Sequence, residues 1–261
     1  MTKLVGILNV TPDSFAEAAP SADAALAIER AATLIADGAD VLDVGAESTR
    51  PGAVALDADQ EWARLAPCLA KIVEHAHNAG VAVSVDTRHA ATAARALGAG
   101  VDWINAVDGV SDAMAAVVAP SPCRLVVMHA VSVPVVRGQT LPPDIDVIAH
   151  LRAYFADRLD ALERAGIARE RVILDPGVGF GTTPRQALTI LHAWPDLAAL
   201  GCPMFIGHSR KSFQTLFTDA PAAERDDVTL ALSGMLFTSG LDFLRVHDVA
   251  RHAALRSALK G

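Results

Sequence analysis

The chain has 261 residues, of which 52% are hydrophobic and 20% charged, with a formal net charge of −8. That length suits one α/β barrel or two small domains, and the composition supports a large core and excludes disorder. The acidic balance excludes a protein that coats nucleic acid, while leaving room for a local basic pocket that holds a small anion.

No apolar run approaches the roughly 20 residues of a membrane span. Asn9, Thr11 and Asp13 follow the first apolar segment too soon for a signal peptide, so a cytoplasmic location is expected. Cys68, Cys123 and Cys202 are widely spaced and form no CxxC pair. Free, buried thiols in a reducing compartment are expected.

Short apolar runs alternate with longer amphipathic stretches. Strands are predicted at Leu4–Val10, Val41–Gly45, Val81–Asp86, Trp103–Val107, Leu125–His129, Val172–Asp175, Met204–Gly207 and Phe243–Val246. Helices are predicted at Asp23–Asp37, Asp59–Ala79, Ala90–Leu97, Asp112–Ala119, Ile145–Ala165, Pro184–Leu197, Ala223–Ser239 and Val249–Leu259. About eight strand–helix units in this length predict a single (β/α)8 TIM barrel spanning residues 1–261. The near-continuous apolar strands fit a sheet buried on both faces. An open doubly wound sheet is the alternative. Its glycine-rich phosphate fingerprint is missing, because Asn9-Val10-Thr11-Pro12 follows the first strand.

Polar residues recur at the carboxyl edges of the apolar runs: Asn9, Asp43, Asp86, Asn105, His129, Asp175, His208, and Arg245 with His247. Taken singly, an Asp that ends a strand is a turn former or a helix cap. Taken together, eight such tips converge on the catalytic face of a barrel. Carboxylates there suit the donor edge of a nitrogen heterocycle, and cations suit an anion. Two loops add anion-binding chemistry: Ala46–Gly52, with Arg50, and Gly207–Ser212, which leads into a helix. In the loop from Asp175 to Gly181, glycines permit close backbone approach and Phe180 offers an aromatic wall. His75, His77, His89, His150, His192 and His252 lack partner spacing and are expected on the solvated surface. Asp57, Asp59 and Glu61 are read as an acidic helix N-terminus.

Gly6-Ile7-Leu8-Asn9-Val10-Thr11-Pro12-Asp13-Ser14-Phe15 resembles the opening motif of dihydropteroate synthases. Asp43-Val44-Gly45-Ala46-Glu47-Ser48-Thr49-Arg50-Pro51-Gly52 resembles their second signature. Val85-Asp86-Thr87, Ile104-Asn105, Val127-Met128-His129, Leu174-Asp175-Pro176-Gly177, Ser209-Arg210-Lys211-Ser212 and Arg245-Val246-His247-Asp248 are similar to further family motifs, in order along the whole chain.

The resemblance implies condensation of 7,8-dihydropterin-6-ylmethyl diphosphate with 4-aminobenzoate, a step of folate biosynthesis that sulfonamides target. It implies that Asp86, Asn105, Asp175 and Lys211 bind the pterin, that Arg245 stacks on it, that Met128 lines its pocket and that Asp43 lies at its end of the site. Asn9 would help to hold Mg2+ on the diphosphate, and Arg50, Arg245 and His247 would hold the diphosphate itself. Ser212, Phe15, Thr49, Arg50, Pro51 and Phe180 would surround 4-aminobenzoate. A homodimer is a further family expectation.

The sequence departs from the family pattern at Ala16-Glu17-Ala18-Ala19, where Ser-Asp-Gly-Gly is usual, so Glu17 is expected to replace the loop aspartate. It departs again at Ala106, at Val178, in the stretch Ala130–Thr140 and at His208. The region from Cys123 looks more like plasmid-borne sulfonamide-resistant members. Two other functions remain open on sequence: a non-catalytic pterin-binding paralogue, and a pterin-dependent methyltransferase. Ser-Thr-Arg-Pro and Ser-Arg-Lys-Ser argue against the latter, since a methyl donor carries no diphosphate.

Overall fold

The computed structural model describes residues 1–10, 20–48 and 53–259. Eight parallel strands, β1 (Lys3–Asn9), β2 (Val41–Gly45), β3 (Ala82–Asp86), β4 (Trp103–Ala106), β5 (Arg124–Met128), β6 (Val172–Asp175), β7 (Phe205–Ile206) and β8 (Phe243–Val246), form one sheet in the order β6-β5-β4-β3-β2-β1-β8-β7. A bridge between Leu174 and Met204, with the Leu174 N–H donating to Pro203 O at 2.9 Å, joins β6 to β7 and closes the barrel. This is the (β/α)8 architecture the alternation predicts, with most strand ends within a residue of expectation. β7 is shorter than the predicted Met204–Gly207.

Ten helices surround the strands among the described residues: α1 (Pro20–Ala36), α2 (Ala58–Leu65), α3 (Leu69–Asn78), α4 (Ala90–Gly98), α5 (Asp112–Val118), α6 (Val147–Arg164), α7 (Pro184–Ala193), α8 (Pro195–Ala198), α9 (Asp226–Thr238) and α10 (Val249–Ala258). Two predicted helices are each split. Pro67 interrupts Asp59–Ala79 between α2 and α3, and Pro195 interrupts Pro184–Leu197 between α7 and α8. Proline supplies no amide hydrogen and clashes with the preceding turn, so each break falls where the ring stands. Ala223–Ser239 also shortens, because a separate 3-10 turn spans Ala222–Glu224. Reciprocal capping boxes start α2 at Asp57 and α7 at Thr183.

Side chains alternate along each strand, so every second residue points into the barrel. Val5, Val41, Trp103, Val126, Ile173, Phe205 and Phe243 form an inner apolar cluster distinct from the large core between strands and helices. Trp103 and Phe243 meet edge to face at 4.9 Å, with the Arg124 guanidinium 5.7 Å from one ring and 5.9 Å from the other. Two residues further along the strands, the inward positions become polar: Asp43 after Val41, Asn105 after Trp103, Asp175 after Ile173 and Arg245 after Phe243. The apolar plug therefore forms the floor beneath a polar layer. Cys68, Cys123 and Cys202 are free and buried, as expected, and burial pushes the Cys68 thiol up to about 11.

Candidate active site

The polar layer is held by a chain of ion pairs and hydrogen bonds. Asp43, fully buried within β2, accepts from Arg245 Nε at 2.6 Å and from Asn105 Nδ2 at 3.1 Å. Arg245 Nη2 also donates to Asp86 Oδ2 at 3.0 Å. The register explains the meeting: Asp86 lies beside Asn105 in the β3–β4 pair, and β1 separates Asp43 from Arg245. Buried Asp43 Oδ1 and Asn105 Oδ1 have no hydrogen-bond partner among the described residues. Burial, reinforced by the negative charge of Asp43, raises the Asp86 pKa, while Arg245 opposes that rise.

On the opposite wall, Met128 and Asp175 end β5 and β6 in register. The Gly177 N–H donates to Asp175 Oδ1 at 2.8 Å. Burial pushes the Asp175 carboxyl up to about 6, against the pull of Lys211. The Lys211 ammonium donates to Val178 O and stands 4.6 Å from the centre of the Phe180 ring. Burial lowers Lys211 to about 8, against the pull of Asp175. Glycine is required at 177, where φ is +66° and a Cβ would fall 1.7 Å from His129 O.

His247 follows β8, and its Nδ1 lies 2.8 Å from Ser209 Oγ. Asn9 ends β1 and is half-buried, and Ser212 is exposed at the start of a 3-10 turn, Ser212–Leu216. Asp43, Asp86, Asn105, Asp175, Lys211 and Arg245 are thus brought together at the carboxyl ends of the strands, with Met128 and Phe180 on the wall beside Asp175 and Lys211. Phe15, Glu17, Thr49, Arg50 and Pro51 lie outside the described residues.

Two readings of surface residues need correction. His252 is 1% exposed rather than solvated, with Nε2 2.9 Å from Ser233 Oγ and Nδ1 2.6 Å from Asp248 O. It lies on the inner face of α10, which a helix too short for a clear polar period does not advertise. Glu61 is not merely a favourable charge at a helix start: it is fully buried and accepts from Thr87 Oγ1 at 2.6 Å. His89 and His150 are half-buried, His150 with its Nε2 3.1 Å from His129 Nε2, whereas His77 and His192 are exposed.

Sequence reasoning also missed two supports. Arg88 makes a bidentate pair with Glu47, at 2.9 Å for each bond, and Glu47 accepts from the Leu56 N–H, so Glu47 ties the chain after β3 to Leu56. Arg210 makes a bidentate pair with Asp226 on α9. Both pairs span distances that periodicity does not read.

The chain matches the family model described as pterin binding enzyme over residues 5–247. It is 35% identical over 266 residues to the dihydropteroate synthase type-3 of Escherichia coli, covering 100% of this chain and 98% of that protein. The chain belongs to the dihydropteroate synthase family. It is also 38% identical to a probable bifunctional folylpolyglutamate synthase/dihydropteroate synthase of Haloferax volcanii, over 97% of this chain but only 30% of that protein. The dihydropteroate synthase of Anaplasma phagocytophilum, solved with bound 6-hydroxymethylpterin-monophosphate, superposes with a TM-score of 0.91 at 41% identity, covering 99% of this chain and 98% of that one. No helix among the described residues of this dihydropteroate synthase-family chain is long and apolar enough to cross a membrane.

Proposed function

We propose that the cup performs dihydropteroate synthesis: it binds a dihydropterin diphosphate and 4-aminobenzoate and joins them with release of diphosphate. The observation that carries this reading is the single cluster of Asp43, Asp86, Asn105, Asp175, Lys211 and Arg245 above the apolar floor. A pterin presents amino and ring N–H donors on one edge and carbonyl and ring-nitrogen acceptors on another. Asp86, Asp175 and the unpartnered Asn105 Oδ1 suit the donors, and Lys211 suits an acceptor. Arg245, held flat by two carboxylates, suits stacking on the ring face. Met128 packs beneath.

In the reaction, the C–O bond to diphosphate breaks as negative charge grows on the leaving group. Arg245, His247 and Arg50 are placed by this reading around that charge. The pterin cation left behind is stabilised by the carboxylates of the cup. The arylamine nitrogen then forms the new C–N bond and gives up a proton, which balances the exchange. Ser212, Phe180, Phe15, Thr49 and Pro51 surround the arylamine in this proposal, and Glu17 takes the place of a loop aspartate.

The residues fit a magnesium requirement of limited kind. No group of three or more His, Cys, Asp or Glu side chains forms a cage among the described residues. Mg2+ on a diphosphate takes few protein ligands, the rest being phosphate oxygen and water, and this reading assigns Asn9 as the protein ligand. When bound, the ion supplies charge stabilisation to the leaving diphosphate. The same reading takes the barrel as one domain, cytoplasmic and homodimeric.

Purified protein is expected to release diphosphate only when the pterin diphosphate, 4-aminobenzoate and Mg2+ are all present. Tight pterin binding with no turnover would assign a non-catalytic pterin binder instead.

A further inference from the structure

We propose that Arg210 is a positioning residue: anchored on Asp226, it holds a left-handed turn that directs Ser209 and Lys211 into the cup. The proposal rests on the cup being the substrate site. Arg210 has φ +59°, and among the described residues only Val110 shares a positive φ without being glycine. An L residue pays a steric cost in that conformation, and glycine does not. A turn needed only for its shape would suit glycine.

What arginine adds is a hold on α9. Its Nε and Nη2 each donate to Asp226 at 2.7 Å; the backbone N–H, which glycine would supply equally, donates to Thr229 Oγ1 at 3.1 Å. The Arg225 guanidinium accompanies it, donating to Lys211 O at 3.3 Å. The two neighbours of Arg210 face the other way. Ser209 Oγ lies 2.8 Å from His247 Nδ1, and Lys211 reaches Val178 O across the Phe180 ring. The two bonds to Asp226 commit the guanidinium to a carboxylate, which leaves it poorly placed to hold a substrate anion. Its part is to fix the turn.

Three variants test this on the full chain: Arg210→Gly, which keeps the turn geometry but removes the anchor, Asp226→Ala, and the double variant. The first readout is the pH dependence of Lys211 acylation by a trace of acetic anhydride, followed by peptide mass spectrometry. Asp175, Asp86, Arg245 and the Phe180 ring face this amine, so its titration reports its seat. The second readout is pterin affinity by fluorescence titration.

Each single variant is expected to keep its near-ultraviolet circular dichroism. Each should move the Lys211 titration up towards that of an ordinary lysine and weaken pterin binding about tenfold or more. The double variant should be no worse than either single. An unchanged Lys211 titration in Arg210→Gly or Asp226→Ala, or a double variant showing the product of the two effects, would overturn the proposal. Should Arg210→Gly fail to fold, Arg210→Lys, which cannot make the bidentate pair, decides by the same readouts. A wild-type protein that binds no pterin would sink the synthase reading, while the Lys211 titration would still decide this one.

Discussion

Arg245 and Asp43 stand 202 residues apart in the chain, yet Arg245 Nε lies 2.6 Å from Asp43 Oδ2. Asp43 is fully buried, and that guanidinium is its ion-pair partner. Removing one partner of a buried pair leaves an uncompensated charge, which costs about 3–5 kcal/mol. Arg245→Met is therefore expected to lose stability of that order in urea denaturation at neutral pH, and to lose pterin binding. The double variant Asp43→Asn/Arg245→Met should regain part of the stability, since Asp86 still lacks its guanidinium, and none of the activity. Equal destabilisation in the single and the double would show that the pair is not what fixes Asp43.

This relationship also marks what sequence could and could not reveal. Val41-Leu42-Asp43 and Phe243-Leu244-Arg245 are legible as apolar strands with a polar residue near the tip, and a barrel brings such tips to one face. That Arg245 would bridge Asp43 and Asp86 depends on strand register and barrel closure, which no local pattern encodes. Pro67 and Pro195 stand inside predicted helices Asp59–Ala79 and Pro184–Leu197, where the amphipathic period runs across both and conceals the breaks. Glu61 reads only as a helix-start acid, because its partner Thr87 arrives from another strand's loop. The left-handed backbone of Arg210 is hidden for a similar reason: its anchor, Asp226, reads as an ordinary acidic first turn.

The pH dependence follows from Asp175 and Lys211, with Asp86, which burial and Asp43 raise to about 8, titrating on the same alkaline side as Lys211. Asp175 is raised to about 6 and Lys211 lowered to about 8, so both are charged chiefly between those values. If pterin binding needs the carboxylate and the ammonium, kcat/KM should be bell-shaped, with limbs near pH 6 and pH 8. Asp175→Asn should abolish the acid limb of whatever activity survives. A flat profile across this window would remove both groups from binding.

The same shifts bear on stability. A carboxyl whose folded pKa is raised favours the fold below its unfolded pKa, and that contribution is lost as pH rises through about 6 for Asp175. An ammonium whose folded pKa is lowered favours the fold above its unfolded pKa, and that contribution is lost as pH falls through about 8 for Lys211. Near pH 7 both charged forms oppose folding, offset in part by their mutual attraction. Asp175→Asn/Lys211→Met is thus expected to melt no lower than wild type at pH 7 while losing activity. A large fall in melting temperature would show that the pair stabilises the barrel.

Glu61 offers a contrast just behind the cup, bonded to Thr87 beside Asp86 and acting on the Asp86 charge. It is fully buried, one oxygen accepts from Thr87, and Oε1 has no hydrogen-bond partner among the described residues. Burial raises its pKa, opposed by the bond from Thr87. Its stabilising contribution is present at acid pH and fades as pH rises through the folded pKa. Glu61→Gln keeps the shape and the acceptor without the charge. It should stabilise the fold by about 1 kcal/mol at pH 8 and little at pH 4, as seen in paired urea titrations. Destabilisation at pH 8 would mean that the ionised carboxylate is better compensated than these contacts indicate.

Gly177 carries the last prediction, because one backbone position serves three parts of the site. Its N–H holds Asp175 Oδ1, its Cα packs under His129 O, and the next residue supplies the carbonyl that receives Lys211. A methyl group there would meet His129 O at 1.7 Å, at a φ of +66° that alanine resists. The loop must therefore move away from β5. Gly177→Ala is expected to cost roughly 2–4 kcal/mol and to displace the bond donor of Asp175 together with the seat of Lys211. Gly201→Ala is the control: φ there is also positive, at +80°, but a Cβ meets nothing within 4 Å. Its cost should be confined to backbone strain, with pterin affinity intact. Similar stability and affinity in the two variants would show that the contact with His129 does not shape the cup.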